Sequence, residues 1–135
     1  MDSRRLREAA RLLGRPLSDP LADAPALNAL GCQALLKGAT SVIPVGRENW
    51  FSASGCAGMA KGGSGDVLTG LTGGLMAQSA AAGTPMGGLH LAICAAFSSE
   101  IHGRAGELAQ EKLGVRGMCA SDLVDALPEA LRAYA

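Results

Sequence analysis

The residues best suited to chemistry lie together in Gly58-Met59-Ala60-Lys61-Gly62-Gly63-Ser64-Gly65-Asp66-Val67-Leu68. A helix is expected to start near Ser64 or Gly65, because Val67, Leu68, Leu71 and Leu75 then fall on one apolar stripe. The first amides of a helix have no intrahelical acceptor, and the aligned peptide dipoles leave partial positive charge there. Glycines let an anion approach that backbone closely. Gly62, Gly63, Ser64 and Gly65 therefore read as a loop for a nucleotide phosphate. Asp66 has the wrong sign for a mere neighbour of an anion. A base that takes a hydroxyl proton while phosphate is transferred fits that position, so Asp66 is the candidate catalytic residue.

The plainer reading of the same residues is a glycine-rich turn with Asp66 as an ordinary first-turn helix residue. Two familiar phosphate loops are excluded by spacing. Gly58 and Gly63 stand as far apart as the P-loop glycines, but Ser64-Gly65 follows where that loop has Lys-Ser/Thr, and the dinucleotide fingerprint does not fit either. Lys61 lies in the loop and reads equally as a phosphate neighbour or a solvated charge. Lys37, at the end of an apolar run, reads by position alone as solvent-exposed. His102, alone after an apolar helix, reads as structural. Trp50 and Phe51 read as core or edge packing.

The elements that must position this loop follow from pattern. Asp2 or Ser3 caps a first helix whose apolar face is Leu6, Ala9, Ala10 and Leu13, ended by Gly14. Its arginines, Arg4, Arg5, Arg7, Arg11 and Arg15, read as a solvated face, with Glu8 spaced to pair with Arg4 or Arg11. Asp19-Pro20 opens a second helix reaching Leu30-Gly31, with Pro25 against it. Residues 33–37 read as a short buried strand. Residues 41–45 and 50–52 read as a hairpin about the turn 46–49, with Pro44 at an edge or strand end. Ala53 to Gly63 reads as a loop, and the helix after it carries Gly70, Gly73 and Gly74, suited to close approach of another element. Thr84-Pro85 opens a long helix reaching about Ile101, residues 107–113 continue it to Gly114, Ser121 caps the last helix, and Pro128 bends or restarts it. Helices, strands, a glycine loop and then helices make an α/β layered fold.

Composition limits the partners. The chain has 135 residues, enough for one domain or part of one, and 48% hydrophobic residues, enough for a core. Twelve basic residues balance twelve acidic ones and aromatics are 3%, so neither nucleic acid nor an anionic membrane is an expected partner. Cys32, Cys56, Cys94 and Cys119 form no CxxC pair, and His90 and His102 have no ligand spacing, so no metal site is read and the cysteines are buried thiols of a reducing compartment. With no secretory pattern and no long apolar run, a cytoplasmic location is expected.

Residues 58–70, ending Asp66-Val67-Leu68-Thr69-Gly70, resemble the signature of the ADP/ATP-dependent NAD(P)H-hydrate dehydratases, ribokinase-like proteins that repair hydrated NADH and NADPH. Leu36-Lys37-Gly38-Ala39-Thr40-Ser41-Val42-Ile43 is similar to that family's nucleotide-contacting strand and turn. His102-Gly103-Arg104-Ala105-Gly106-Glu107-Leu108-Ala109 and Ala120-Ser121-Asp122-Leu123 are similar to its C-terminal helices. The resemblance covers nearly the whole chain. It implies the C-terminal part of a ribokinase-like three-layer α/β/α domain, with residues 1–135 a partial domain. It implies that Lys37, Gly38, Ala39, Thr40 and Ser41 line the adenine nucleotide, and that Gly65 holds its phosphate through the backbone amide. Asp66 then contacts and activates the substrate hydroxyl of the S-epimer of NAD(P)H hydrate. That hydroxyl is phosphorylated, and departure of phosphate restores the nicotinamide double bond. ADP or ATP is the implied co-substrate and Mg2+ the implied metal. A small-molecule kinase of the same superfamily and a non-catalytic nucleotide-binding chain are the alternatives.

The sequence departs from the family at several places. Where family members carry Pro-His-Pro-Gly-Glu, this chain has Arg4-Arg5-Leu6-Arg7-Glu8, with Arg5 in place of the substrate-contacting His. Cys56-Ala57 stands where the family has Asn with Pro or Ala, and Glu107 where it has Asp. Only about the C-terminal half of a family domain is present, which leaves sheet edges to be covered by a complementing N-terminal half or by association of copies.

Overall fold

The computed structural model describes residues 9–17 and 19–134. Asp2, Ser3 and the stretch Arg4 to Glu8 lie outside them. Helix α1 covers residues 9–13 of the described chain and stops at Gly14, whose φ of +66° no side chain favours. Arg15, exposed as its sequence context suggested, also pairs with the buried carboxylate of Asp23, which accepts from the Asp19 amide as well. Helix α2 spans Pro20–Asn28. The Asp19 side chain accepts from the Leu21 amide at 3.0 Å, and Pro20 takes the first helical position, as the sequence indicates. Pro25 is accommodated within the helix.

Strands β1, Ser41–Val45, and β2, Glu48–Ser52, pair antiparallel about a turn of Gly46 and Arg47, tighter than the four-residue turn expected. Gly46 has a φ of +63°, and positive φ at the first central residue is what such a two-residue loop needs.

Residues 33–37 do not form the expected strand, and Pro44 gives the reason. Leu36 and Val42 exchange both backbone hydrogen bonds at 2.9 Å, which sets a register in which Ala34 would meet Pro44 next. Pro44 has no N–H to continue that ladder. Side chains replace it: Gln33 Nε2 and Asn28 Nδ2 donate to the Pro44 carbonyl at 2.7 and 3.1 Å, and the Ala34 amide donates to Asn28 Oδ1 at 2.9 Å. The named strands of the described residues thus form a two-stranded sheet. The architecture is mixed α/β.

Helix α3 spans Ser64–Ala81, α4 Gly88–Gly117 and α5 Ala120–Arg132. Helix α4 starts later than Thr84-Pro85. It is continuous through residues 101–107 and breaks at Gly114, which has a φ of +75°. The cap of α5 is Cys119, not Ser121: the Cys119 amide donates to the Asp122 carboxylate at 2.6 Å and its thiol faces the same group. Pro128 sits inside α5 without ending it.

Helix α4 is the common support. Ile43 of β1 packs on Ala92 and Ala95. Farther along, Ile101 and Ala105 meet Leu71 of α3 and Ala126, Leu127 and Ala130 of α5. Phe97 and Tyr134 meet edge to face at 5.3 Å, so α5 runs back along α4. The buried hydroxyl of Ser98 meets that of Thr72 at 2.7 Å across the α3–α4 contact.

Gly70, Gly73 and Gly74 of α3 do not permit a close approach among the described residues: nothing lies within 4 Å of where their Cβ atoms would be. Helix propensity is then their main effect. Gly70→Ala and Gly73→Ala are each expected to stabilise the chain by roughly 0.5–1 kcal/mol, read as a rise in the urea midpoint without a change in slope.

Candidate active site

The glycine turn is built from its buried side outward. Gly63 is the N-cap of α3, with φ +86° and ψ −23°. A Cβ there would lie 2.9 Å from Cβ of Ala120, so the turn abuts the start of α5. The Asp66 and Val67 amides both return to the Gly63 carbonyl, at 3.0 and 3.1 Å. The amides of Ser64 and Gly65 head the helix without an intrahelical acceptor. Gly62 and Gly65 are exposed, with no described neighbour within 4 Å of their missing Cβ atoms. Asp66 is also exposed, in the first turn of α3. Backbone donors and carboxylate therefore share one open end of the helix.

Ser64 faces inward and is 2% exposed. Its hydroxyl accepts from Lys37 Nζ at 3.1 Å, which joins the segment before β1 to the glycine turn. Lys37 is half-buried and not the free surface lysine its position suggested. Gly38, Ala39 and Thr40 form an exposed bend beside it, and Ser41 is buried at the start of β1, opposite Ser52.

His102 of α4 completes the group. It is 2% exposed, and its Nε2 lies 2.8 Å from the Ser64 carbonyl and 3.4 Å from the Ser64 hydroxyl. A carbonyl oxygen only accepts, so Nε2 carries the hydrogen. Burial, reinforced by the Lys37 cation and opposed by the bond to Ser64, lowers the His102 pKa from 6.5 to about 4, so the ring is neutral at pH 7. The unfolded chain takes up this proton near pH 6.5 and the folded chain resists it. Stability from this group is thus fully present above pH 6.5 and lost as pH falls to about 4, by at most about 3 kcal/mol. Thermal melts between pH 7 and 4.5 are expected to fall steeply for the native chain and less for His102→Gln. Glu107, held below its ordinary 4.5 chiefly by the Gly55 amide, loses its contribution only at lower pH.

The loop before the turn is clamped to α4 by alternating acceptors and gaps. Gly55 and Gly58 amides donate to Glu107 Oε1 at 2.9 Å and to Gln110 Oε1 at 3.0 Å. Arg104 pairs with the other Glu107 oxygen at 3.0 Å, and the Cys56 thiol donates to the Gly106 carbonyl at 3.2 Å. A Cβ on Gly103 would meet the Ser54 backbone at 2.6 Å, and one on Gly106 would meet Met59 Sδ at 2.1 Å. A single 3-10 turn, Ala57–Met59, packs Met59 with Ala109, Met118 and Leu123. The Lys61 ammonium donates to the carbonyls of Met118 and Arg116, tying the turn to the α4–α5 corner.

A groove of about 610 Å³ lies elsewhere, between β2 and α4. It is lined by Ile43, Trp50, Phe51, Ile93, Phe97 and Glu100, among others, and includes no residue of the glycine turn. It offers mostly hydrocarbon, whereas the turn offers the leading amides of a helix. Trp50 and Phe51 are 41% and 58% exposed and are not core. Among the described residues no three His, Cys, Asp or Glu side chains gather as metal ligands, and no helix is long and apolar enough to cross a membrane.

Amides at a helix head, a carboxylate in its first turn and a lysine reaching in from the preceding strand region are one arrangement. The family profile described as NAD(P)H-hydrate dehydratase matches residues 5–129, a span containing all of it. The chain belongs to the NAD(P)H-hydrate dehydratase family. The bifunctional NAD(P)H-hydrate repair enzyme Nnr of Moorella thermoacetica is 41% identical over 132 residues, 93% of this chain and 23% of that protein. The ADP-dependent (S)-NAD(P)H-hydrate dehydratase of Cenarchaeum symbiosum is 36% identical over 104 residues, 77% of this chain and 33% of that protein. The Escherichia coli Nnr enzyme is 38% identical over 126 residues, 89% of this chain and 23% of that protein. The chain thus spans between 23% and 33% of the length of these relatives, and its glycine turn, Lys37 segment and α4 lie within the residues the family profile matches.

The sequence signals for Gly62 to Asp66 and for the Lys37 segment pointed to groups that adjoin in the structure. His102, Gly103, Gly106, Glu107 and Gln110 were not singled out as site residues on physical grounds. Their signal was periodic: residues 102, 106 and 110, and again 103 and 107, recur every four positions and so share one face of α4.

Proposed function

We propose that this chain supplies the nucleotide-phosphate and proton-abstracting part of an ADP- or ATP-dependent dehydratase for the S-epimer of NAD(P)H hydrate. The observation that carries the reading is the bond from Lys37 to Ser64, because it joins a nucleotide-lining segment to a helix head open to an anion. Lys37, Gly38, Ala39, Thr40 and Ser41 line the nucleotide. The amides of Ser64 and Gly65 hold its phosphate, within the loop Gly62 to Gly65. An exposed glycine inside a helix is unfavourable by about 1 kcal/mol against alanine, and an incoming phosphate explains why Gly65 stays bare. Asp66 takes the proton of the substrate hydroxyl as phosphate arrives. Magnesium enters with the nucleotide, where it neutralises phosphate charge, and Asp66 is the carboxylate this chain places at that end of α3. The fold is read as the C-terminal part of a ribokinase-like three-layer α/β/α domain, residues 1–135 being a partial domain. The exposed aromatics of β2 support its completion by an N-terminal half or by further copies of the chain. The expected setting is the cytoplasm, where NADH and NADPH are used.

The test follows recovery of NADH absorbance from NADH hydrate with magnesium and ADP or ATP. Nucleotide-dependent recovery supports the reading. A stable phosphorylated product in its place would make the chain a kinase. A melting temperature that neither nucleotide raises at millimolar concentration would remove the nucleotide site altogether.

A further inference from the structure

We propose that His102 is a positioning residue for the phosphate turn, its Nε2–H holding the Ser64 carbonyl so that the head of α3 is fixed against α4 with the leading amides facing outward. This rests on the phosphate reading of that turn. The buried imidazole donates to the Ser64 carbonyl at 2.8 Å, and no other side chain of α4 is bonded to that residue among the described ones. The carbonyl belongs to the first residue of the helix, so its orientation fixes the peptide plane whose far side is the Gly65 amide. The same contact settles the hydroxyl. Lys37 can only donate, so Ser64 Oγ accepts from it, and Nε2 at 3.4 Å already carries its hydrogen toward the carbonyl. The Ser64 hydroxyl proton is then directed at neither partner. A neutral ring is required, because an imidazolium would place a second cation against Lys37 around one serine. The low His102 pKa agrees with this geometry. Gly103, next in sequence, holds the Ser54 backbone too closely for any side chain, which prevents α4 from sliding and carrying His102 away from Ser64.

The experiment compares His102→Gln with His102→Asn, and adds His102→Leu. The glutamine amide reaches about as far as Nε2, whereas the asparagine amide stops near the position of Nδ1, so only the former can replace the donor. Calorimetric titration with ADP, melting without nucleotide, and the tautomer from imidazole nitrogen shifts of the native chain are the readouts. The expected result is an Nε2–H tautomer, ADP affinity kept in the Gln variant, and affinity about tenfold weaker in the Asn variant, equivalent to one lost hydrogen bond. The Leu variant is expected to lose at least as much. If it fails to fold, the contrast between the two amides still decides. Equal ADP affinity in the Gln and Asn variants, or an Nδ1–H tautomer, would overturn the proposal while leaving the phosphate site in place. A native chain that folds and binds no ADP would overturn the phosphate reading and this proposal with it.

Discussion

Asp66→Asn is expected to slow nucleotide-dependent recovery of NADH by about 10²- to 10⁴-fold while leaving ADP affinity unchanged or tighter. The two halves of this expectation come from separate physics. Asp66 is exposed and buries no apolar surface, so the substitution creates no cavity. Its helix-dipole contribution at the first turn is roughly 0.3–1 kcal/mol, too little to unfold a domain. Removing a negative charge beside phosphate lowers repulsion toward the nucleotide. On the proposed reading the carboxylate is the base, and an amide of the same shape cannot accept the hydroxyl proton. Turnover and ADP affinity measured on the same preparation check the pair. Turnover within tenfold of the native chain, or affinity falling in step with turnover, would show that Asp66 is an ordinary helix residue.

Gly103→Ala is expected to destabilise the chain by about 1–3 kcal/mol and to loosen residues 54–59 from α4. Its Cβ would lie 2.6 Å from the Ser54 carbonyl carbon and 2.7 Å from Ser54 Cβ. Backbone cannot rotate away as a side chain can, so the loop must lift. Lifting stretches the bonds from Gly55 to Glu107 and from Gly58 to Gln110 together, because both lie on the face of α4 that carries Gly103. Gly106→Ala meets Met59, a flexible thioether, and is expected to be milder. Hydrogen exchange of the Gly55 and Gly58 amides, with urea unfolding, measures both consequences. A Gly103→Ala chain as stable and as protected as the native one would refute the clamp. The opposite sign expected for Gly70→Ala shows that location, and not residue type, decides what a glycine does here.

Local signals in the sequence were reliable where the physics was local. Asp19-Pro20, the hairpin around Gly46 and the stops at Gly14 and Gly114 each depend on a few adjacent residues. The strand expected at 33–37 failed because Pro44, distant in sequence, cuts the ladder that would have ordered it. Cys119 displaced Ser121 as the cap of α5, its amide donating to the Asp122 carboxylate. The glycine turn and Asp66 were legible as a helix start because they are adjacent in sequence, and they do form the N-cap and first turn of α3. Lys37 on physical grounds, His102 and the Glu107–Gln110 pair were not legible as neighbours of that region, since their roles exist only once α4 lies against the loop. Lys61 reads from the sequence equally as a phosphate neighbour or a solvated charge, and its ammonium is tied to carbonyls of the α4–α5 corner.

The bonds that tie the loop and turn to α4 and α5 span long stretches of chain. Ser54 to Glu100 spans 46 residues, Gly55 to Glu107 and Gly58 to Gln110 span 52, and Lys61 to Met118 spans 57. Helix α4 can form from its own neighbours in sequence, but each of these contacts needs a large loop to close first. The head of α3 is therefore expected to be assembled late in folding, after much of the helical content has formed. Interactions made after the rate-limiting step act on the escape rate. A nucleotide bound at this turn is accordingly expected to prolong the life of the folded chain by slowing unfolding, and to leave the rate of refolding almost unchanged.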